Sequence, residues 1–147
     1  MDLLEKLNLL KTAHAHCDVP CGVYETDSAK WAAETCMKMV DKIQGLQQPS
    51  ANDKQATIDY LNTVARSISV KEEFAKICKD QLLILWTDHF KPEHLQKWPD
   101  LHDKIWKACK QCSTVKRTVK MEEAKKLQDM VKEIAEIFAE SKKMVMR

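Results

Sequence analysis

Glycine and proline are scarce in this chain of 147 residues, at two and four respectively. A protein built from hairpins and tight turns draws heavily on both. Segments of strict polar–apolar alternation are scarce too, so an all-α fold is expected. Charge of one sign is also lacking: 24 lysines and arginines face 22 acids, for a formal net charge of +2. The two signs alternate along the helical stretches as on a solvated face, and no basic footprint for nucleic acid appears. No run approaches the ~18 apolar residues of a membrane span. The length fits one domain with a sizeable core.

Sulfur, by contrast, is plentiful. Six cysteines stand at 17, 21, 36, 78, 109 and 112. They show no regular small-domain disulfide framework, so they are read as mostly reduced, with a pair among Cys36, Cys78, Cys109 and Cys112 left open. Cys109-Lys110-Gln111-Cys112, with His102 seven residues before it, has part of a zinc pattern. Such a site needs a fourth donor and usually a second paired motif, so buried packing is the expectation here.

Four amphipathic segments joined by short connections predict an antiparallel four-helix bundle over residues 25–147. The first opens at Asp27 or Ser28, carries Trp31, Cys36, Met39, Val40 and Ile43 on its apolar side, and ends near Gly45. Asn52 or Asp53 starts the next, whose seam runs through Ile58, Leu61, Ala65 and Ile68, then Ala75, Cys78, Leu82, Leu85 and Trp86. Ser69-Val70-Lys71-Glu72 has capping-box spacing, which leaves either one long helix or two in sequence. Phe90-Lys91-Pro92 and Trp98-Pro99 bracket a loop-rich crossing. A third helix opens at Pro99 or Asp100 with Leu101, Ile105, Ala108, Cys109 and Cys112 inward. Thr114–Thr118 reads as a polar joint before the last helix, with Ala124, Leu127, Val131, Ile134, Phe138 and Val145 on its seam.

The most specific stretch is His16-Cys17-Asp18-Val19-Pro20-Cys21-Gly22-Val23-Tyr24. Thiolates beside an imidazole make a nitrogen–sulfur site suited to a transition metal. Pro20 bends the chain and removes an amide donor, and Gly22 lets the backbone leave the turn in conformations other residues resist. Together these residues can bring two thiols, with three residues between them, onto one ion. The pattern His-Cys-Asp-x-Pro-Cys-Gly-x-Tyr resembles the amino-terminal hook of the nickel superoxide dismutases. Leu85-Trp86-Thr87-Asp88-His89-Phe90-Lys91-Pro92-Glu93-His94, followed by Trp98-Pro99-Asp100-Leu101-His102, is similar to that family's segment between its second and third helices.

The resemblance implies an enzyme that disproportionates superoxide to dioxygen and hydrogen peroxide by Ni(II)/Ni(III) cycling. It assigns nickel to the His16 amine and imidazole, the Cys17 amide nitrogen, and the Cys17 and Cys21 thiolates, with Asp18, Pro20 and Gly22 shaping the hook. Tyr24 becomes a lid near the open face of the metal, and Phe90-Lys91-Pro92 lies close to a hook. The resemblance further implies a homohexamer. The His16 amine exists only if residues 1–15 are removed as a leader by a processing protease. Ala13-His14-Ala15 resembles a small-x-small cleavage site, but Asp2, Glu5, Lys6, Asn8 and Lys11 interrupt the leucines, so there is no export core. A cytoplasmic location is expected. If the leader stays, His14, His16, Cys17 and Cys21 become a side-chain donor set, and the alternative is a non-catalytic protein binding nickel, copper or zinc.

The chain departs from the family at three positions. His89 stands where the family usually has tyrosine, and an imidazole there is expected to supply or relay a proton during peroxide formation. Ala32 and Phe74 fall where the family has a glutamate and an arginine that hold the axial imidazole. Both partners are absent together, so no unpaired buried charge is left. His94 and Glu93 read as loop or interface residues.

Overall fold

A computed structural model describes residues 23–145. The leader at 1–15 and the hook residues His16, Cys17, Asp18, Pro20, Cys21 and Gly22 lie outside the described residues. Among the described residues the fold is helical throughout, with no strand.

Helix α1 spans Asp27–Gly45. It begins one residue from the predicted cap: Thr26 is the N-cap, and Asp27 supports the first turn by pairing with Lys30 at 2.8 Å. Helix α2 spans Lys54–Ile84 without interruption, so Ser69 caps nothing. Its start is fixed by Asp53, whose carboxylate accepts the Ala56 N–H at 2.9 Å. One π-helical turn, Leu85–His89, continues α2 and closes with Phe90 N–H on Leu85 O at 3.0 Å. The predicted loop-rich crossing holds this turn and a short helix α3, Pro92–Lys97, with Pro92 in its first turn. Helix α4 is Leu101–Arg117 and α5 is Met121–Val145.

The four long helices form an antiparallel square. Gln44 at the end of α1 donates to Val119 O before α5, while Lys142 near the end of α5 reaches Glu25 before α1. Lys79 on α2 faces Ser113 on α4, and Trp86 farther along α2 faces His102 near the start of α4. The central core draws Ala32, Ala33 and Cys36 from α1, Ala75, Cys78 and Leu82 from α2, Ile105, Ala108 and Cys112 from α4, and Leu127, Val131 and Ile134 from α5. Each fully buried leucine or isoleucine there contributes about 1.5–3 kcal/mol.

Three expectations change. Trp31 is 65 % exposed, because the buried stripe of α1 runs through Ala29, Ala32, Ala33, Cys36 and Val40 and Trp31 lies off it. Thr114–Arg117 is helix, not joint, and the connection is Thr118–Lys120. Val115 holds that last turn by burying its side chain, and the Lys71 ammonium donates to Val115 O and, at 2.7 Å, to Lys116 O. Lys71 is 1 % exposed and thus serves as a buried cap for carbonyls that end without helical partners. Because Lys71 marks the end of α4, the earlier part of α2 runs past it: Lys54–Arg66, about 20 Å of helix at 1.5 Å per residue, buries no side chain. Ile58 and Leu61, predicted inward, are 49 % and 58 % exposed there, and Ala65 is exposed with them.

Candidate metal centre and its surroundings

At one end of the bundle, four pieces of chain converge: the residues before α1, the π turn, α3, and the last turns of α5. The wide π turn ends α2 and delivers His89 and Phe90 to this end, where the regular 3.6-residue repeat would have carried them elsewhere. His89 sits in an aromatic nest. Its ring lies 5.7 Å from Tyr24, edge-on, 5.1 Å from Phe90 and 4.4 Å from Phe138. Tyr24 is buried at 7 % exposure, so the last residue of the hook motif is anchored on the bundle beside His89.

His89 Nε2 lies 2.8 Å from Ser141 Oγ, and the Ser141 hydroxyl donates to Phe138 O at 2.7 Å. His94 packs beside His89 with centroids 5.8 Å apart and planes within 17°. It is 1 % exposed, its Nδ1 accepts the Lys91 N–H at 3.0 Å, and its Nε2 has no hydrogen-bond partner among the described residues. Burial pushes the His89 pKa down from 6.5 to about 4, helped by the nearby His94, Lys142 and Lys91 charges. Burial also lowers His94, against an opposing pull from Glu93. Both rings are therefore neutral at pH 7.

The sequence reading placed Tyr24 and His89 at the site, and the fold brings these two together. It places Ala32, fully buried, and Phe74, half-buried, in the packed core. His94, expected as a loop or interface residue, lies in α3 and is the most buried imidazole of the nest. Ser141 and Phe138 were not singled out for the site. Their signal was a serine on the otherwise apolar stripe of α5, at helical spacing from Ile134 and Phe138.

The remaining cysteines gather elsewhere. Cys36, Cys78, Cys109 and Cys112 are free and buried in the central core. Hydrogen bonding to Cys112, together with burial, pushes the Cys78 thiol far up, while burial first and Cys112 second push Cys36 up to about 12. Burial likewise raises Cys109 to about 11. Cys36, Cys78 and Cys109 stay protonated, and all four side chains pack as small apolar residues. His102, exposed, is engaged by the Trp86 indole N–H and stays away from the Cys109 thiol's core setting. Among the described residues no group of three or more His, Cys, Asp or Glu is arranged to hold a metal. Nor is any helix there long and apolar enough to cross a membrane.

The hook motif in the sequence carries donors of the kind a transition metal takes. Two thiolates, an imidazole and backbone nitrogen form a soft, strongly donating set that fits nickel in an N/S environment. Residues 11–142 match the family described as nickel-containing superoxide dismutase. The chain is 35 % identical over 129 residues to "Superoxide dismutase [Ni]" of Streptomyces seoulensis, covering 88 % of this chain and 89 % of that protein. Against the protein of the same name from Streptomyces coelicolor it is 33 % identical over 132 residues, covering 90 % and 92 %. Among solved structures, the native nickel superoxide dismutase superposes with a TM-score of 0.75 at 32 % identity, over 87 % of this chain and 99 % of that one. A crystal structure of the oxidised-state nickel ligation gives 0.76 at 33 %, with the same coverage.

Proposed function

The chain belongs to the nickel-containing superoxide dismutase family, and from that membership we propose that His16, Cys17 and Cys21 hold its nickel, with Tyr24 and His89 flanking the metal. The protein is an enzyme that disproportionates superoxide to dioxygen and hydrogen peroxide, with nickel as its cofactor. When bound, nickel supplies the electron chemistry, cycling between Ni(II) and Ni(III) as superoxide is alternately oxidised and reduced.

The chain's own residues do the rest. Cys17 and Cys21 supply anionic sulfur, and His16 supplies its imidazole and, once residues 1–15 are removed by a protease, its amine. Asp18, Pro20 and Gly22 shape the turn that brings these donors together. Tyr24, buried against the bundle, anchors the carboxyl end of the hook. Lys91 and Lys142, whose charges reach His89, make this end attractive to a small anion. His89 remains neutral at pH 7, so it does not store a proton; it can pass one on, accepting at one ring nitrogen while releasing from the other.

The observation that carries this reading is the complete hook motif in the sequence, His16 to Tyr24, whose last residue meets His89 at one end of the bundle. We further propose a homo-oligomer, a hexamer by family likeness, because Trp31, Ile58, Leu61 and Trp106 leave large apolar surface uncovered in one chain. Free buried cysteines fit a reducing compartment, and we assign the cytoplasm.

Intact mass, metal analysis and dismutation assay of protein from its native host test the reading together. A chain beginning at His16 with one nickel and full activity supports it, and Cys17→Ser or Cys21→Ser should then lose both metal and turnover. A chain still beginning at Met1, carrying zinc or no metal and inert toward superoxide, supports the non-catalytic alternative.

A further inference from the structure

Ser141 is wholly buried on α5, and its hydroxyl makes two contacts: 2.7 Å to Phe138 O and 2.8 Å to His89 Nε2. A hydroxyl has one proton to give, and a carbonyl oxygen can only accept. The proton therefore goes to Phe138 O, and the Ser141 oxygen must accept from the imidazole. His89 Nε2 thus carries hydrogen, and Nδ1 is left as the bare, accepting nitrogen of a neutral ring. Phe138 on the same helix presses on the His89 ring at 4.4 Å, so one turn of α5 sets both its orientation and its protonated atom. We propose that Ser141 is a positioning residue which holds His89 in the Nε2–H form, making Nδ1 a hydrogen-bond acceptor.

This rests on the reading that His89 serves the metal centre, and it specifies what His89 can hold there. Superoxide has no proton and offers only lone pairs, so an accepting nitrogen gives it no hydrogen bond. Water and hydrogen peroxide both carry O–H and fit. The ligand class assigned to His89 is a protonated oxygen species, the proton source or the product, and not the radical anion.

The test is nitrogen-detected NMR of 15N-histidine-labelled full chain at pH 7. His89 should show a pyrrole-type Nε2 and a pyridine-type Nδ1. Ser141→Ala should lose this single-form pattern and average the two tautomers, while Ser141→Thr, which keeps the hydroxyl, should restore it. An Nδ1–H or averaged ring in the unaltered protein overturns the proposal, whatever the fate of the variants. So does a Ser141→Ala spectrum unchanged from the parent. Dismutase turnover reads the other layer: if Ser141→Ala scrambles the tautomer but leaves turnover intact, Ser141 does position His89, and it is the catalytic role of His89 that fails.

Discussion

The two ends of the bundle solve opposite problems. At the end holding Tyr24, His89 and Ser141, polar groups are drawn inside and joined to one another by short hydrogen bonds. At the other end, the overhanging turns of α2 leave Ile58 and Leu61 about half exposed among the described residues. Buried polarity is costly unless it is partnered, so it persists where chemistry needs it. Exposed apolar stripes, by contrast, persist where a second surface will cover them. One end joins its buried polar groups to one another; the other, as we propose, is organised for a copy.

The largest expected effect lies where the far end begins. Lys71→Ala removes the donors of Val115 O and Lys116 O and leaves a hole, so urea denaturation should show a loss of about 3–5 kcal/mol. Lys71→Met, which keeps the volume, should lose less. Equal losses would mean that the cap, and not packing, holds the end of α4; a Met variant as stable as the parent would mean the reverse.

The next effect belongs to the site end and is read with pH. The His89 pKa is about 4 in the fold, against an ordinary 6.5. Below pH 6.5 the unfolded chain takes up the proton first, so stability should fall as pH drops from 6.5 toward 4 and then level off. Each unit of that window is worth about 1.4 kcal/mol at most. Denaturation midpoints of the parent and of His89→Gln at pH 7 and pH 5 check this, and the variant should show the shallower dependence. Parallel curves would remove His89 as the cause.

A third measurement separates the ends by assembly. Ile58→Glu with Leu61→Glu should shift the sedimentation profile toward smaller species while changing the thermal midpoint of the isolated chain little. An unaltered profile would place the subunit contact elsewhere. The smallest effect is Asp53→Ala, which removes the α2 cap and should cost about 1 kcal/mol.

How far the sequence could be read differs between these ends as well. Helix starts with a local chemical signal were legible: Asp53 caps α2 as its side chain predicts. The family was legible because the motif that resembles it is continuous in sequence. What stayed hidden depends on distant partners. Thr114–Arg117 has joint-like, β-branched composition, and it is helical because Lys71 on another helix secures its carbonyls. The stripe through Ile58, Leu61 and Ala65 has core periodicity, but the described residues leave it exposed at that level. Ser141 became visible as a site residue only when α5 met the π turn.

The four thiols of the central core bear on how this protein ages. Its reaction releases an oxidant, and sulfur is what peroxide attacks first when it is ionised. Cys36, Cys78 and Cys109 are kept in the protonated form by their surroundings, and all four sulfurs are shut away from solvent. With Cys17 and Cys21 as the proposed nickel ligands, chemical wear should concentrate on them, so that a spent molecule keeps its helical body and loses only its grip on the ion.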